Sequence, residues 1–343
     1  MSAEPKFRVA VVGATGYAGA ELVRLLHAHP AVEIVCATSE KDAGKALGEV
    51  HRYLAPTGLQ LTAVDVGGIL DRSASFAFVA LPHGASTPIV RGLIDGGLRI
   101  VDVGADFRFS DAAAYERAYG PHAEPALLAE AVYGLTEHAR AKVAKARLVA
   151  NPGCYPTGAL MGLVPIADLV EGTVFVDSKS GTSGAGRSAA TNQLFAEVTE
   201  NLRPYSVWKH RHQPEIQEKL ALAGGRARVL FAPQLLPIAR GLLSACYFAT
   251  SAGAEIGRRL DAAYRSEPFV RVLPRGTWPE PRNVRGTNLV EIGWQLDDDG
   301  KSAVVMTAID NLGKGAAGQA VQNFNCMVGL DERTGLVAMP ALP

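Results

Sequence analysis

Apolar and polar positions set a strand–helix rhythm over the first 150 residues. Phe7–Val12 is a nearly unbroken apolar run, the pattern of a strand buried on both faces. Val32–Thr38, Ser75–Ala80 and Arg99–Val103 repeat it. Between them, Ala18–Ala28 places Leu22, Leu25 and Leu26 on one face at helical spacing, and Thr87–Asp95 reads as a second helix. Such alternation predicts a parallel sheet covered on both faces. Near Ala150 the pattern changes. The turn-rich junction Asn151-Pro152-Gly153-Cys154-Tyr155-Pro156 leads into a predicted helix over Thr157–Leu169. Longer strand patterns follow at Thr173–Ser178, Arg228–Leu235, Leu242–Thr250, Asn288–Leu296 and Ser302–Ile309, with little helical pattern between them. They predict an α+β domain with a mostly antiparallel sheet. Gly315–Met327 reads as a final helix.

A length of 343 residues exceeds what one core usually supports, so two domains are expected. The 34 Lys and Arg balance the 34 Asp and Glu, which gives no reason to expect nucleic acid or an anionic membrane as partner. No segment carries ~20 uninterrupted apolar residues, so no membrane span is expected. The start, MSAEPKFRVAVVGATG, enters a strand pattern without a basic and then apolar leader, and a cytoplasmic location is the expectation. Cys36, Cys154, Cys246 and Cys326 lie far apart, without zinc-site spacing, so neither a metal nor a disulfide framework is expected.

Chemistry enters at the first strand. Val9–Val12 runs into Gly13-Ala14-Thr15-Gly16-Tyr17-Ala18-Gly19, a GxxGxxG variant between strand and helix. Small residues there let the backbone approach a pyrophosphate, and the helix start presents free N–H groups to it. This predicts a Rossmann-type domain over residues 1–150, completed by about 311–343, with the catalytic and oligomerisation domain over 151–310. Gly13, Ala14, Thr15, Gly16 and Tyr17 are the candidate cofactor residues. After the second strand come Thr38-Ser39-Glu40-Lys41-Asp42-Ala43-Gly44-Lys45. Ser39, Lys41 and Lys45 favour a 2′-phosphate and Glu40 points the other way, so NADP is expected with Ser39 as its best single contact.

Cys154 stands between Gly153 and Tyr155-Pro156, just ahead of a predicted helix whose N-terminus favours a thiolate. A thiolate nucleophile needs a base. The segment Lys209-His210-Arg211-His212-Gln213-Pro214-Glu215 offers two histidines near a helix start, with Glu215 able to orient a ring. Read alone, the segment is equally well a basic surface loop. Ser180-Gly181-Thr182-Ser183-Gly184-Ala185-Gly186-Arg187 is a second glycine-rich loop and a candidate anion site. Asn311-Leu312-Gly313-Lys314 opens the last helix. A thiolate beside a nicotinamide cofactor suits reduction of an acyl phosphate through a thioester, with a histidine as acid–base and backbone N–H groups holding the oxyanion.

The motifs GATGYAGAELVRLL, SEKDAGK, LPHGAS, GADFR, YGLTE, NPGCYPT, SGTSGAGR, HRHQPEI, RGLL, GTN and DNLGKGAAGQAVQN occur in this order. The chain thereby resembles the N-acetyl-γ-glutamyl-phosphate reductases, and more distantly the aspartate-semialdehyde dehydrogenases. The resemblance implies NADPH-dependent reduction of N-acetyl-γ-glutamyl phosphate in arginine biosynthesis. It implies Cys154 as nucleophile and a histidine of HRH as acid–base, with His212 preferred over His210. It implies cofactor contacts from Gly13, Ala14, Thr15, Gly16, Tyr17, Ser39, Ser183, Gly184, Asn311 and Lys314. Arg108, Tyr155, Arg187 and Glu215 are its candidates around the substrate, and a homo-oligomer (dimer or tetramer) is its expected assembly. Two positions depart from the family pattern: Glu40, where arginine is frequent, and Gln234, where histidine is frequent. The alternative is a relative acting on an aminoadipyl or glutamyl phosphate held on an acidic carrier protein. A dinucleotide-binding sensor would leave Cys154 and the histidines incidental, and a cofactor-free cysteine hydrolase would leave the glycine turn unexplained.

Overall fold

Val9, Ala10, Val11 and Val12 are wholly buried, as a strand covered on both faces requires. In a computed structural model, which describes residues 7–187, 190–336 and 339–340, they form most of strand β1 (Phe7–Val12). The ends of the predicted domain ranges, residues 1–6, 337, 338 and 341–343, lie outside the described residues. The chain divides into two compact units: residues up to Pro152 with Ala316–Leu336, and Gly153–Gly315.

The first unit holds a seven-stranded sheet. Its strands are β1, β2 (Val32–Thr38), β3 (Leu61–Thr62), β4 (Phe76–Val79), β5 (Arg99–Asp102), β6 (Val132–Tyr133) and β7 (Leu148–Ala150). The order is β3-β2-β1-β4-β5-β7-β6, with every pairing parallel. The helix Tyr17–His27 buries Leu22, Leu25 and Leu26, the face its spacing predicted. The closing helix Gly318–Met327 belongs to this unit. Its Phe324 ring packs edge-on against Phe76 at 4.7 Å and Phe7 at 5.6 Å, an arrangement aromatic quadrupoles favour. The predicted helix Gly315–Met327 is thus two pieces, a π-helical turn Gly313–Ala317 and then the α-helix. Such wide turns accompany functional sites.

The second unit holds a mixed, mostly antiparallel sheet. Its strands are β8 (Glu171–Gly181), β9 (Arg203–Pro204), β10 (Arg228–Leu236), β11 (Leu242–Ala249), β12 (Val270–Val272), β13 (Val290–Leu296) and β14 (Ser302–Ile309). They lie in the order β12-β13-β14-β11-β8-β10-β9. Only β12–β13 and β8–β10 pair in parallel. The helix predicted from Thr157 starts at Cys154 and runs to Leu163. Gly153, extended at its N-cap, allows Cys154 and Tyr155 to precede Pro156 inside the first turn, where proline costs no hydrogen bond. This helix seats on β11 and β14 through two glycines. A Cβ at Gly158 would lie 2.9 Å from Ser244 Oγ, and one at Gly162 3.0 Å from Val305 Cγ1. The Thr307 hydroxyl donates to the Gly158 carbonyl at 2.7 Å. Two helices complete the unit: His212–Leu222, whose start was expected near Pro214, and Ile256–Tyr264, absent from the expected pattern. Ile256, Leu260 and Tyr264 are buried at a four-residue spacing, a helical signal too short to stand out beside the strands.

Candidate active site

In the first unit, the turn after β1 is shaped by Gly13, whose φ of +85° and whose missing Cβ, 2.5 Å from the Ala80 carbonyl oxygen, leave glycine as the fitting residue. The Ala14 N–H donates to the Thr38 carbonyl at 2.8 Å and the Gly13 N–H to the Thr38 hydroxyl at 3.2 Å, tying the turn to the end of β2. The Thr15 and Ser39 hydroxyls share a hydrogen bond at 2.9 Å, so two of the predicted cofactor residues meet. Gly16 gives the following helix no side-chain cap, and Tyr17 is partly exposed beside it. Lys45 is paired with Asp42 at 2.7 Å, while Glu40 and Lys41 are exposed.

The motifs GADFR and LPHGAS meet at a residue that sequence reading passed over. Asp106 accepts from the His83 ring at 2.7 Å, the Gly84 N–H at 2.9 Å, the Ser86 hydroxyl at 2.7 Å and the Thr87 hydroxyl at 3.1 Å. Burial opposes its charge, but the Gly84 N–H, the two hydroxyls and His83 more than offset it and hold its carboxyl below the usual range. Arg108 is buried and donates from Nε to the Asn151 carbonyl and from Nη2 to the Val103 carbonyl, both at 2.9 Å. It therefore braces the strand end ahead of the cysteine turn.

Asp102 lies in the same region and is fully buried. Burial, reinforced by the neighbouring charge of Asp106, pushes it up to about 7. The raised value in the folded state means that Asp102 costs no stability below about pH 4, where folded and unfolded chains both hold the proton. The cost grows as pH rises from about 4 to about 7 and levels off above that, at about 4 kcal/mol. Asp102→Asn, neutral throughout, is expected to close that gap. Urea unfolding at pH 4.5 and pH 8 should show the variant gaining on the wild type at the higher pH, and parallel pH curves would refute it.

In the second unit, the thiol-bearing end of the helix Cys154–Leu163 sits among aromatic and imidazole rings. The Tyr155 ring meets His210 at 5.8 Å, His212 at 5.9 Å and Phe231 at 5.1 Å, all edge-on, and the two histidines lie 4.7 Å apart. The Tyr205 hydroxyl donates to the Tyr155 hydroxyl at 3.0 Å, which donates in turn to the Gln234 carbonyl at 3.3 Å. Tyr205 and Phe231 carried no sequence signal. They reach the site from β9–β10, 51 and 77 residues after the cysteine. Burial, with the charge of Arg211, pushes His210 down to about 4. Its Nδ1 accepts the His212 N–H at 3.1 Å. Glu215 is wholly buried, and its Oε1 accepts the Gly153 N–H at 3.1 Å.

The second glycine loop is pinned to the loop before the closing helix. Asn311 Nδ2 donates to the Ser183 hydroxyl at 2.9 Å, and its Oδ1 accepts the Gly241 N–H at 2.8 Å. A Cβ at Gly184 would fall 3.0 Å from Ser180 Oγ. Lys314 is fully buried, and Arg187 is exposed at the far end of the loop. Asp310 organises this corner, accepting from the Arg240 guanidinium and from the N–H groups of Gly286, Leu312 and Gly313. The Gln234 side chain points away from Tyr155 and donates to Asp177 at 2.6 Å, so this departure from the family pattern leaves the ring cluster intact.

Comparison with known proteins bears on the family and the fold. Residues 8–146 match the semialdehyde dehydrogenase NAD binding domain and residues 154–311 the semialdehyde dehydrogenase dimerisation domain. The chain is 46% identical to the N-acetyl-gamma-glutamyl-phosphate reductase of Geobacter metallireducens, over 98% of this chain and 99% of that protein. It is also 46% identical to that of Akkermansia muciniphila, over 96% and 98%. Its fold is similar to that of aspartate semialdehyde dehydrogenase II from Vibrio cholerae, solved with ASA, at a TM-score of 0.72 and 20% identity over 95% and 99% of the two chains. It is similar in fold, too, to the Candida albicans enzyme solved with NADP, at a TM-score of 0.68 and 16% identity over 94% and 98%. With near full-length identity of this order and both domains matched, the chain belongs to the N-acetyl-γ-glutamyl-phosphate reductase family of semialdehyde dehydrogenases.

Proposed function

We propose that this protein reduces N-acetyl-γ-glutamyl phosphate to N-acetylglutamate 5-semialdehyde with NADPH, releasing phosphate, through a thioester on Cys154. The observation that carries the reading is Cys154 as first residue of a helix, beside a tyrosine ring packed on two histidines, in a chain of this family. The first-unit turn fits a dinucleotide. A Cβ at Gly16 would meet nothing closer than 3.9 Å, so bare backbone at an uncapped helix start faces open space suited to a pyrophosphate. Gly13, Ala14, Thr15, Gly16, Tyr17 and Ser39 would hold the cofactor, with Ser183, Gly184, Asn311 and Lys314 proposed as further contacts. When bound, the reduced nicotinamide supplies a hydride.

The protein's own residues do the rest. His212 takes the thiol proton, the sulfur attacks the acyl carbon, and the carbon–oxygen bond to phosphate breaks. Main-chain N–H groups at the start of the Cys154–Leu163 helix favour the oxyanion. Once the thioester carbon is reduced, the carbon–sulfur bond breaks, the aldehyde leaves, and the sulfur recovers its proton. Arg108 and Arg187 are the proposed cationic groups for the substrate's anions, with Tyr155 framing the pocket. Arg108 already spends two donors on main-chain carbonyls.

Phosphate-dependent reduction of NADP by the purified protein tests the reading, with N-acetylglutamate semialdehyde and aspartate semialdehyde in parallel. Turnover of the acetylated substrate alone is expected, and turnover of neither would overturn it. A homo-oligomer is proposed through the open face of the second sheet, where Phe175 and Tyr247 pair across β8 and β11 and are 50% and 43% exposed. Light scattering that reads a monomer would dismiss it.

A further inference from the structure

Glu215 stands out among the residues around the thiol because it is an acid in a place that must accept negative charge. The sulfur, the oxyanion and an acyl phosphate are all anionic, and a substrate-facing carboxylate would repel each of them. The structure gives Glu215 other work. It is wholly buried, and its Oε1 accepts the N–H of Gly153, the residue that caps the Cys154–Leu163 helix. The Gly153 carbonyl in turn accepts the Thr157 N–H at 2.8 Å, closing the first turn that carries the thiol. On its own helix, Glu215 lies three residues after His212, one turn along. The two helices pack together, so one carboxylate links the backbone of the nucleophile to the helix that presents the imidazole. A second close contact bears on the cysteine itself. A Cβ at Gly315 would lie 2.8 Å from Cys154 Cβ, which places Gly315 hard against the cysteine.

We infer that Glu215 is a positioning residue rather than a substrate ligand: its Oε1, through Gly153, holds the Cys154 sulfur in register with His212. The inference rests on the reading of Cys154 as nucleophile, but it concerns reach and acceptor geometry and not charge. Two variants separate these. Glu215→Gln keeps the reach and an Oε1 acceptor and loses the charge. Glu215→Asp keeps the charge and withdraws the acceptor by one methylene. Glu215→Gln is expected to stay within a few-fold of the wild type in kcat and KM. Glu215→Asp is expected to lose kcat by about 100-fold, the scale of a 1 Å misplacement, with KM little changed. The pH profile of Cys154 alkylation by iodoacetamide, followed by peptide mass, should move for Asp and not for Gln. The opposite ranking, with Asp active and Gln inactive, would overturn the inference, as would a rise in KM at constant kcat for both variants. Unchanged alkylation and turnover in Asp would overturn it too. Alkylation needs no substrate, so a wild-type protein without turnover would strike the proposed reaction and leave this test standing.

Discussion

Replacing Cys154 by alanine is expected to lower turnover by on the order of 10⁴-fold or more, while NADPH still binds. Loss of a nucleophile removes the covalent route, and what survives is the contribution of binding and oxyanion stabilisation alone. A deficit of that size is about 5.5 kcal/mol of transition-state stabilisation. Cofactor binding is expected to persist because the glycine turn and Ser39 lie in the first unit, whereas Cys154 opens a helix of the second. The substitution is mild for the fold, since alanine is the best helix former and the thiol is only partly buried. Stopped-flow turnover with N-acetylglutamate semialdehyde, beside a fluorescence titration with NADPH, reads both halves. Turnover surviving in the variant would refute the thioester route. Lost NADPH binding would mean that the two sites are not separable.

His212→Ala is expected to cost about 10²–10⁴-fold in kcat, the usual worth of a positioned acid–base group, and to flatten one limb of the pH profile. The choice between the two histidines follows from their surroundings. Burial and the charge of Arg211 push His210 down to about 4, so at neutral pH it is a neutral imidazole and a weak base. Its Nδ1 is already committed to the His212 N–H. His210→Ala is therefore expected to act more weakly, by loosening the start of the helix His212–Leu222 and one wall of the ring cluster. Measured pH profiles of both variants decide the matter. A large loss at His210 with little at His212 would exchange their roles.

Residue patterns alone determined a good deal here, wherever the signal was local. Strands β1, β2, β4 and β5 of the first sheet were legible because a strand covered on both faces is apolar nearly throughout, whereas β3, β6 and β7 are too short to show a pattern. The turn at Gly13 was legible because a positive φ and a close carbonyl demand glycine. Cys154 was legible from the prolines and glycine around it, and the two histidines from their spacing ahead of Pro214. Strands β10, β11, β13 and β14 were found to within two residues at each end and β8 in part, but the short strands β9 and β12 and the helix Ile256–Tyr264 were missed.

What the tertiary structure decided is which distant groups meet. Asp106 looked like one residue of a motif, and it proved to gather His83, Gly84, Ser86 and Thr87 from a loop some 19–23 residues earlier. Arg108 and Glu215, both expected around the substrate, each hydrogen-bond to main chain, at Asn151 and Gly153. Tyr205 and Phe231 were invisible beforehand. Periodicity tells which side of an element faces inward, but not which other element it faces, and a hydrogen bond depends on that pairing at a precision of tenths of an ångström.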